Sequence, residues 1–331
     1  MPASDATTPT LESLTPVSEQ AEGGGKGSMF TVVLAFAANL LIAVAKSVAA
    51  FLTGSASMLA EAAHSWADAG NEIFLFVAER RSEKGRDERH PMGYGREAYV
   101  WSMFAAFGLF TAGAVVSISH GITELRHPEE ATDFLIAYVV LGISFVLEGI
   151  SFSQAVRQSR REARKLGRSV LSFVSTTSNP TLRAVFAEDA AALIGILIAS
   201  TGIVLHQVTG SAVPDALGSI GVGLLLGVVA VFLIDRNRRF LVGEVVRPEI
   251  RTQVLANLLA RPEIDRVTYL HLEFVGPARL YLVAAVDMVG DSAEHTVAHL
   301  LRDVERQLEE AAVVEEAVLT LATPEEPSLT R

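Results

Sequence analysis

The sequence predicts a membrane all-α bundle of six transmembrane helices, followed by a small cytoplasmic α+β domain of α-β-β-α-β, ferredoxin-like order. Three observations predict it. Half of the 331 residues are hydrophobic and the mean hydropathy is +0.36, yet the apolar residues gather between Met29 and Ile234, and both ends are polar and acid-rich. Within that region lie apolar stretches near the roughly 20 residues that cross about 30 Å of hydrocarbon. Beyond Asp235 the pattern turns from uniformly apolar to amphipathic.

Residues 1–28 are rich in Ser, Thr, Pro, Gly and Glu, with Lys26 the one basic residue. They lack a charged n-region, apolar core and small-residue cleavage site, so no signal peptide is read and a disordered cytoplasmic tail is expected. The transmembrane domain is expected over 29–239, with spans near 30–51, 57–77, 98–118, 134–152, 182–205 and 216–234. Lys and Arg crowd the loop 80–97, the stretch 157–168 and the segment 236–239, while the intervening loops hold one between them. By the positive-inside rule both termini are cytoplasmic, and the expected location is a bacterial cytoplasmic membrane.

From Glu249 to Leu259 the periodicity predicts a helix, from Val267 to Phe274 and Leu280 to Met288 strands, from Thr296 to Leu308 a helix, and from Ala317 to Leu321 a strand. The second helix places Val297, Leu300, Leu301, Val304 and Leu308 on one face, as packing on a small sheet requires. This cytoplasmic dimerisation domain is expected over 240–322, with a flexible tail at 323–331.

The second expected span, SMLAEAAHSWADAGNEIFLF from Ser57, carries Glu61, His64, Asp68 and Glu72 on one stripe. A charged group at mid-bilayer costs about 2.5–3.5 kcal/mol on insertion scales, so the stripe needs compensation. With the helix entering near Gly54, His64 lies about 15 Å deep and Asp68 about 21 Å. The fifth span opens SNPTLRAVFAEDAAALIGILIA, with Ser178 or Asn179 as cap and Pro180 at its first position. Asp189 then lies about 13 Å from the cytoplasmic side, Glu188 slightly less, and Asp68 about 16 Å from that side. An imidazole and carboxylates at a common depth can form a coordination shell for a divalent transition ion, which offsets the insertion cost. The plainer reading pairs Asp68 and Glu72 with Lys46 or other helices and leaves His64 a hydrogen-bonded bundle residue. With no cysteine in the chain, neither a disulfide nor a thiolate ligand enters.

GSASMLAEAAHSWAD in the second span, DERHPMGYGREAYVWS after it, the carboxylate-bearing fifth span and GSIGVGLLL in the sixth resemble the cation diffusion facilitator family of metal transporters. The similarity covers roughly 29–322. It implies a homodimer that exports divalent metal from the cytoplasm in exchange for protons, through a tetrahedral site between the second and fifth spans. By position the implied ligands are His64, Asp68 and Asp189, and the earlier fifth-span ligand falls on Val185, which cannot bind metal. The fourth ligand is left to Glu188, a second carboxylate oxygen, water, Asn71 or Glu61. Glu61 and Glu148 are candidates for proton handling beside His64, and Glu72 for the entry vestibule. Asp87 and His90 match a secondary linker site whose other histidine is replaced by Tyr94. In the C-terminal domain His299 matches one ligand of relatives, while Thr268, Thr320 and Ala322 fall at others. His271 and His295 read as surface or strand residues.

Neutral imidazole and ionised carboxylate bind metal, and protons compete for the same groups. His64, with an unperturbed pKa of about 6.5, suits such exchange. The expected function is proton-coupled efflux of a divalent transition metal, zinc first, with manganese, iron or cobalt as alternatives. The metal is the substrate, protons and membrane lipid are the other expected partners, and no nucleic acid is expected. An intramembrane hydrolase is the rival from another class, but no HExxH-type motif or separate general base supports it and no enzymatic activity is expected. A membrane metal sensor or scaffold that does not transport is the second rival.

Overall fold

A computed structural model describes residues 27–128 and 133–330. The tail expected over 1–28 lies outside the described residues through position 26. The chain divides into two units, one comprising 24–80 and 98–238, the other 81–97 and 239–331.

The first unit is helical. Helix α1 spans Gly27–Thr53 and α2 spans Ala56–Ser82. A continuous rod follows, built of α3 (Glu97–Ala105), a π-helical turn (Ala106–Phe110) and α4 (Thr111–Arg126). Helix α5 runs Phe134–Lys165, α6 is the short Val170–Thr176, α7 spans Pro180–Thr209 and α8 spans Val213–Val242. Among the described residues five helical stretches are long and apolar enough to cross a membrane. The expectation was six. The second expected span, α2, has 27 residues, about 40 Å at 1.5 Å per residue, but its ionisable stripe and basic C-terminal end remove it from that set.

Helix ends follow local chemistry. Asn179 accepts from the backbone N–H of Leu182 at 3.0 Å and Pro180 begins α7, as its missing N–H allows. Gly210 ends that helix at φ +66, a left-handed C-cap. Helix α5 continues past the span expected over 134–152 through the basic stretch to Lys165, because Ala, Gln, Arg, Glu and Lys are all good helix formers. Helix α6, capped by Ser169, has no apolar periodicity long enough to be read beforehand.

Alanine and glycine recur through the interior of this unit, between larger apolar side chains. Ala67 and Leu75 of α2 pack with Phe110, Ala184, Ala191 and Leu226, and Met58 of α2 packs with Ala49, Leu141, Ile196 and Ile203. Small residues let helix backbones approach, the packing that drives association where lipid removes the hydrophobic incentive. At Gly202 an added Cβ would lie 3.0 Å from Ser57 Oγ, and at Gly218 it would clash with the same oxygen, so α2, α7 and α8 converge on that serine. Asp215, at the start of α8, accepts from Ser55 Oγ at 3.0 Å and from the Ala56 backbone N–H at 2.8 Å, and Ser57 Oγ donates to its carbonyl at 2.8 Å. A carboxylate from α8 thus caps α2.

In the second unit α9 (Pro248–Leu259), β1 (Ile264–Gly276), β2 (Arg279–Met288), α10 (Glu294–Glu309) and β3 (Val314–Leu321) follow the expected order. Strands β1 and β2 pair antiparallel, β2 and β3 parallel, in the order β1-β2-β3. The parallel strands joined through α10 are direct neighbours, whereas a split ferredoxin-like unit sets another strand between them. Leu255, Leu258, Leu270, Leu282, Val304 and Leu308 lead the core between sheet and helices. Residues 323–330, expected as a flexible tail, are tied to β1: the Leu329 N–H donates to Val267 O at 2.8 Å, and Arg266 donates to the carbonyls of Glu326 and Thr323.

Segment 81–97, expected as a loop of the membrane domain, packs in this second unit. Arg86 and Arg279 share Glu315 at 3.1 Å and 2.7 Å, and Arg96 pairs with Glu273. Gly95 meets Gly276 backbone to backbone, where an added Cβ would lie 2.6 Å from Val275 O.

Candidate metal site

The interior of the helical unit holds an uncommon density of ionisable groups, distributed by helical spacing over four helices. Helix α2 supplies Glu61, His64, Asp68 and Glu72, α1 supplies Lys46, α5 supplies Glu148 and α7 supplies Glu188 and Asp189. Glu61 is fully buried, His64 is 1% exposed and Asp68 is 15% exposed.

His64 Nε2 lies 3.5 Å from Asp68 Oδ1, the pair one helical turn apart that the spacing predicts. Neither ring nitrogen of His64 has a hydrogen-bond partner among the described residues, and neither has Asp68 Oδ1. A buried polar atom left unpaired costs about 1–3 kcal/mol. Such groups in a native interior point to a water or an ion that would complete them.

The two fifth-span carboxylates turn to different neighbours. Glu188 is buried and accepts from Asn71 Nδ2 of α2, whereas Asp189 accepts from Ser151 Oγ of α5 at 2.8 Å. Asp68 lies within the electrostatic reach of Glu188, Glu148, Lys46 and Asp189. Among the described residues no three His, Asp or Glu side chains stand close enough to hold one ion as placed. Val185, at the position where the resemblance implies a ligand, packs into the apolar clusters around Ala184 and Phe186.

Lys46, a lone cation in an apolar helix, is 1% exposed and donates to Glu61 Oε2 at 2.9 Å. The plainer sequence reading paired it with Asp68 or Glu72, and its partner is instead Glu61. Asn39 of α1 donates to Glu72 at 2.6 Å. The sequence signals for these contacts were a single lysine and a single asparagine in a 27-residue helix of otherwise apolar character. Gly195 of α7 carried no such signal. An added Cβ there would lie 2.5 Å from Glu61 Oε1 and 3.6 Å from His64 Nδ1, so the missing side chain lets α7 close over both.

In the linker, Asp87 accepts from the backbone N–H groups of Arg89 and His90 at 2.9 Å and 2.7 Å and from Tyr94 O–H at 2.8 Å. The Tyr94 hydroxyl foremost, then these amides, hold its carboxyl below the usual carboxylate range. The His90 ring lies 3.9 Å from that of Tyr94. Asp87 therefore closes a turn and His90 stacks, both with side chains nearly half exposed. His299 is exposed on α10, and His271 is 43% exposed on β1.

Residues 32–242 match the model of the cation efflux transmembrane domain. The chain is 36% identical over 276 residues to the human protein named proton-coupled zinc antiporter SLC30A9, mitochondrial, covering 83% of this chain and 48% of that protein. It is 33% identical over 263 residues to metal tolerance protein C4 of Arabidopsis thaliana, covering 80% of this chain and 58% of that one. An uncharacterized transporter of Methanocaldococcus jannaschii is 21% identical over 288 residues, covering 86% and 95%. The chain spans about half the length of the first two of these relatives.

Proposed function

The chain belongs to the cation efflux, or cation diffusion facilitator, family, and from that premise we propose that it moves divalent transition-metal cations out of the cytoplasm in exchange for protons, zinc foremost. The observation that carries the reading lies on α2: both nitrogens of His64 and one oxygen of Asp68 are buried without a hydrogen-bond partner among the described residues, in a helical interior that also holds Glu188 and Asp189. Neutral imidazole with carboxylates suits zinc, and an oxygen-rich set with a single histidine also suits manganese or ferrous iron.

In this reading α2 also crosses the membrane and brings the spans to six, its charge tolerated because the stripe faces helices rather than lipid. His64 and Asp68 hold the ion from α2. Asp189 or Glu188 completes the shell from α7, by release of its carboxylate from Ser151 or Asn71. The ligands bind metal only when deprotonated, so protons arriving from the opposite side compete the ion off and give exchange its direction. Glu61 and Glu148 are the further proton-handling candidates. The distribution of Lys and Arg supports cytoplasmic termini, and we read the membrane as a bacterial cytoplasmic one. A homodimer assembled through residues 240–322 and a weak linker site at Asp87 and His90 are parts of the same proposal, although the Tyr94 and backbone bonds to Asp87 compete with that second site.

The test is flux of a panel of divalent ions into inside-out proteoliposomes under an imposed pH gradient, with His64→Ala and Asp68→Ala beside the wild type. Uptake driven by the gradient and lost in both variants is expected. Binding without flux would make the chain a sensor or scaffold, and flux undiminished in either variant would remove that residue from the site.

A further inference from the structure

Lys46 is a buried cation that the transport reading leaves unused. A lysine inside a span is expensive, and its place is justified by what it faces. Its ammonium is 2.9 Å from Glu61 Oε2, with both side chains at 1% exposure or less, and it lies within electrostatic reach of Glu148 and Asp68. His64 lies in the field of the same ammonium. Glu61 stands three residues before His64 on α2, about 4.5 Å along the axis. Its second oxygen, Oε1, has no hydrogen-bond partner among the described residues. That oxygen and His64 Nδ1 border the same point over Gly195, at 2.5 Å and 3.6 Å. The ion pair and the imidazole therefore meet against the same glycine of α7.

A permanent positive charge beside a divalent-ion site opposes the ion. A negative partner held by that charge is also withdrawn from service as a ligand. We propose that Lys46 is a positioning residue that loosens the hold of the His64 and Asp68 site on its ion, by repulsion and by keeping Glu61 engaged. A transporter gains from this arrangement, because an ion bound by several carboxylates in a low-dielectric interior leaves slowly unless something opposes it. The inference rests on the transport-site reading above and deepens it.

The sign of the effect separates this role from a structural one. Damage to the fold weakens metal binding, whereas removal of a counter-charge tightens it. The experiment is zinc titration against a competing chelating dye, with the purified full chain in nanodiscs. Lys46→Met should bind zinc at least about tenfold more tightly than wild type, and Lys46→Arg, which keeps the charge, should stay near the wild-type value. Lys46→Met with unchanged or weaker affinity in a folded protein would overturn the proposal. Where Lys46→Met fails to fold, the comparison is Glu61→Gln, which leaves the ammonium without its carboxylate, with the Lys46→Met/Glu61→Gln double variant. Glu61→Gln should lose about tenfold in affinity and the double variant should recover it; equal affinities in the two would overturn the proposal. His64→Ala and Asp68→Ala accompany each titration. If zinc binding survives both, the transport-site reading fails and the proposal goes with it. If binding is lost in both and the Lys46 variants are silent, the proposal alone fails.

Discussion

Replacing Gly195 by alanine places a methyl group where the structure has a carboxylate. The new Cβ would sit 2.5 Å from Glu61 Oε1, about 1 Å inside an ordinary carbon–oxygen contact. A carboxylate at the end of a free side chain could swing aside, but Glu61 is fully buried and its other oxygen holds Lys46 at 2.9 Å. Overpacking of this kind costs about 1–3 kcal/mol, while the change from glycine to alanine in a helix interior returns about 0.8–1 kcal/mol. The variant should therefore be destabilised by up to about 2 kcal/mol. In a Glu61→Ala background the clash is gone and the same change should stabilise by about 1 kcal/mol. The lysine left unpaired there destabilises both arms equally and cancels in the double-mutant cycle. Equilibrium unfolding in mixed micelles measures all four proteins, with an expected coupling of about 1–3 kcal/mol. A coupling under about 0.5 kcal/mol would show that Gly195 and Glu61 do not crowd each other.

Asp215→Ala removes the acceptor of Ser55 Oγ and the Ala56 N–H and should cost about 2–4 kcal/mol by thermal unfolding, with Asp215→Asn losing about half of that; equal melting of wild type and alanine variant would refute the cap. Tyr94→Phe removes the foremost cause of the low Asp87 pKa, so that carboxyl should titrate at higher pH, followed by carbon NMR. A depressed carboxyl lends its support above its ordinary range and loses it as pH falls through the lowered value. Protection of the Arg89 and His90 amides should therefore fail at a higher pH in Tyr94→Phe than in wild type. Arg86→Ala should loosen segment 81–97 by about 0.5–1 kcal/mol, since Arg86 is partly exposed. Glu315→Ala should cost more, because it also strands Arg279; hydrogen exchange across the segment reads both.

The helices and the amphipathic domain were legible because hydropathy and periodicity are properties of single elements. The stripe on α2 was legible for the same reason, since His64 and Asp68 meet within one helix. Contacts between helices were less so. That Glu188 turns to Asn71 and Asp189 to Ser151 depends on the rotation of α7 against α2 and α5, which a depth count from the helix ends does not supply. The Lys46–Glu61 pair joins residues of two different spans, and a sequence shows only that a lysine there needs some carboxylate. The arginines of segment 81–97 fitted a topology signal so well that their engagement with Glu315 and Glu273 was hidden behind it.

Because Asp215 and Ser57 fasten the first turn of α2 to α8, the helix is a lever with its fulcrum at one extremity. A rod pinned there translates little near the pin and most at its tip. Swinging about 10° carries residue 80 through roughly 6 Å but His64 through only about 2 Å. The residues proposed to hold the ion can thus stay nearly still while the far end of the helix moves.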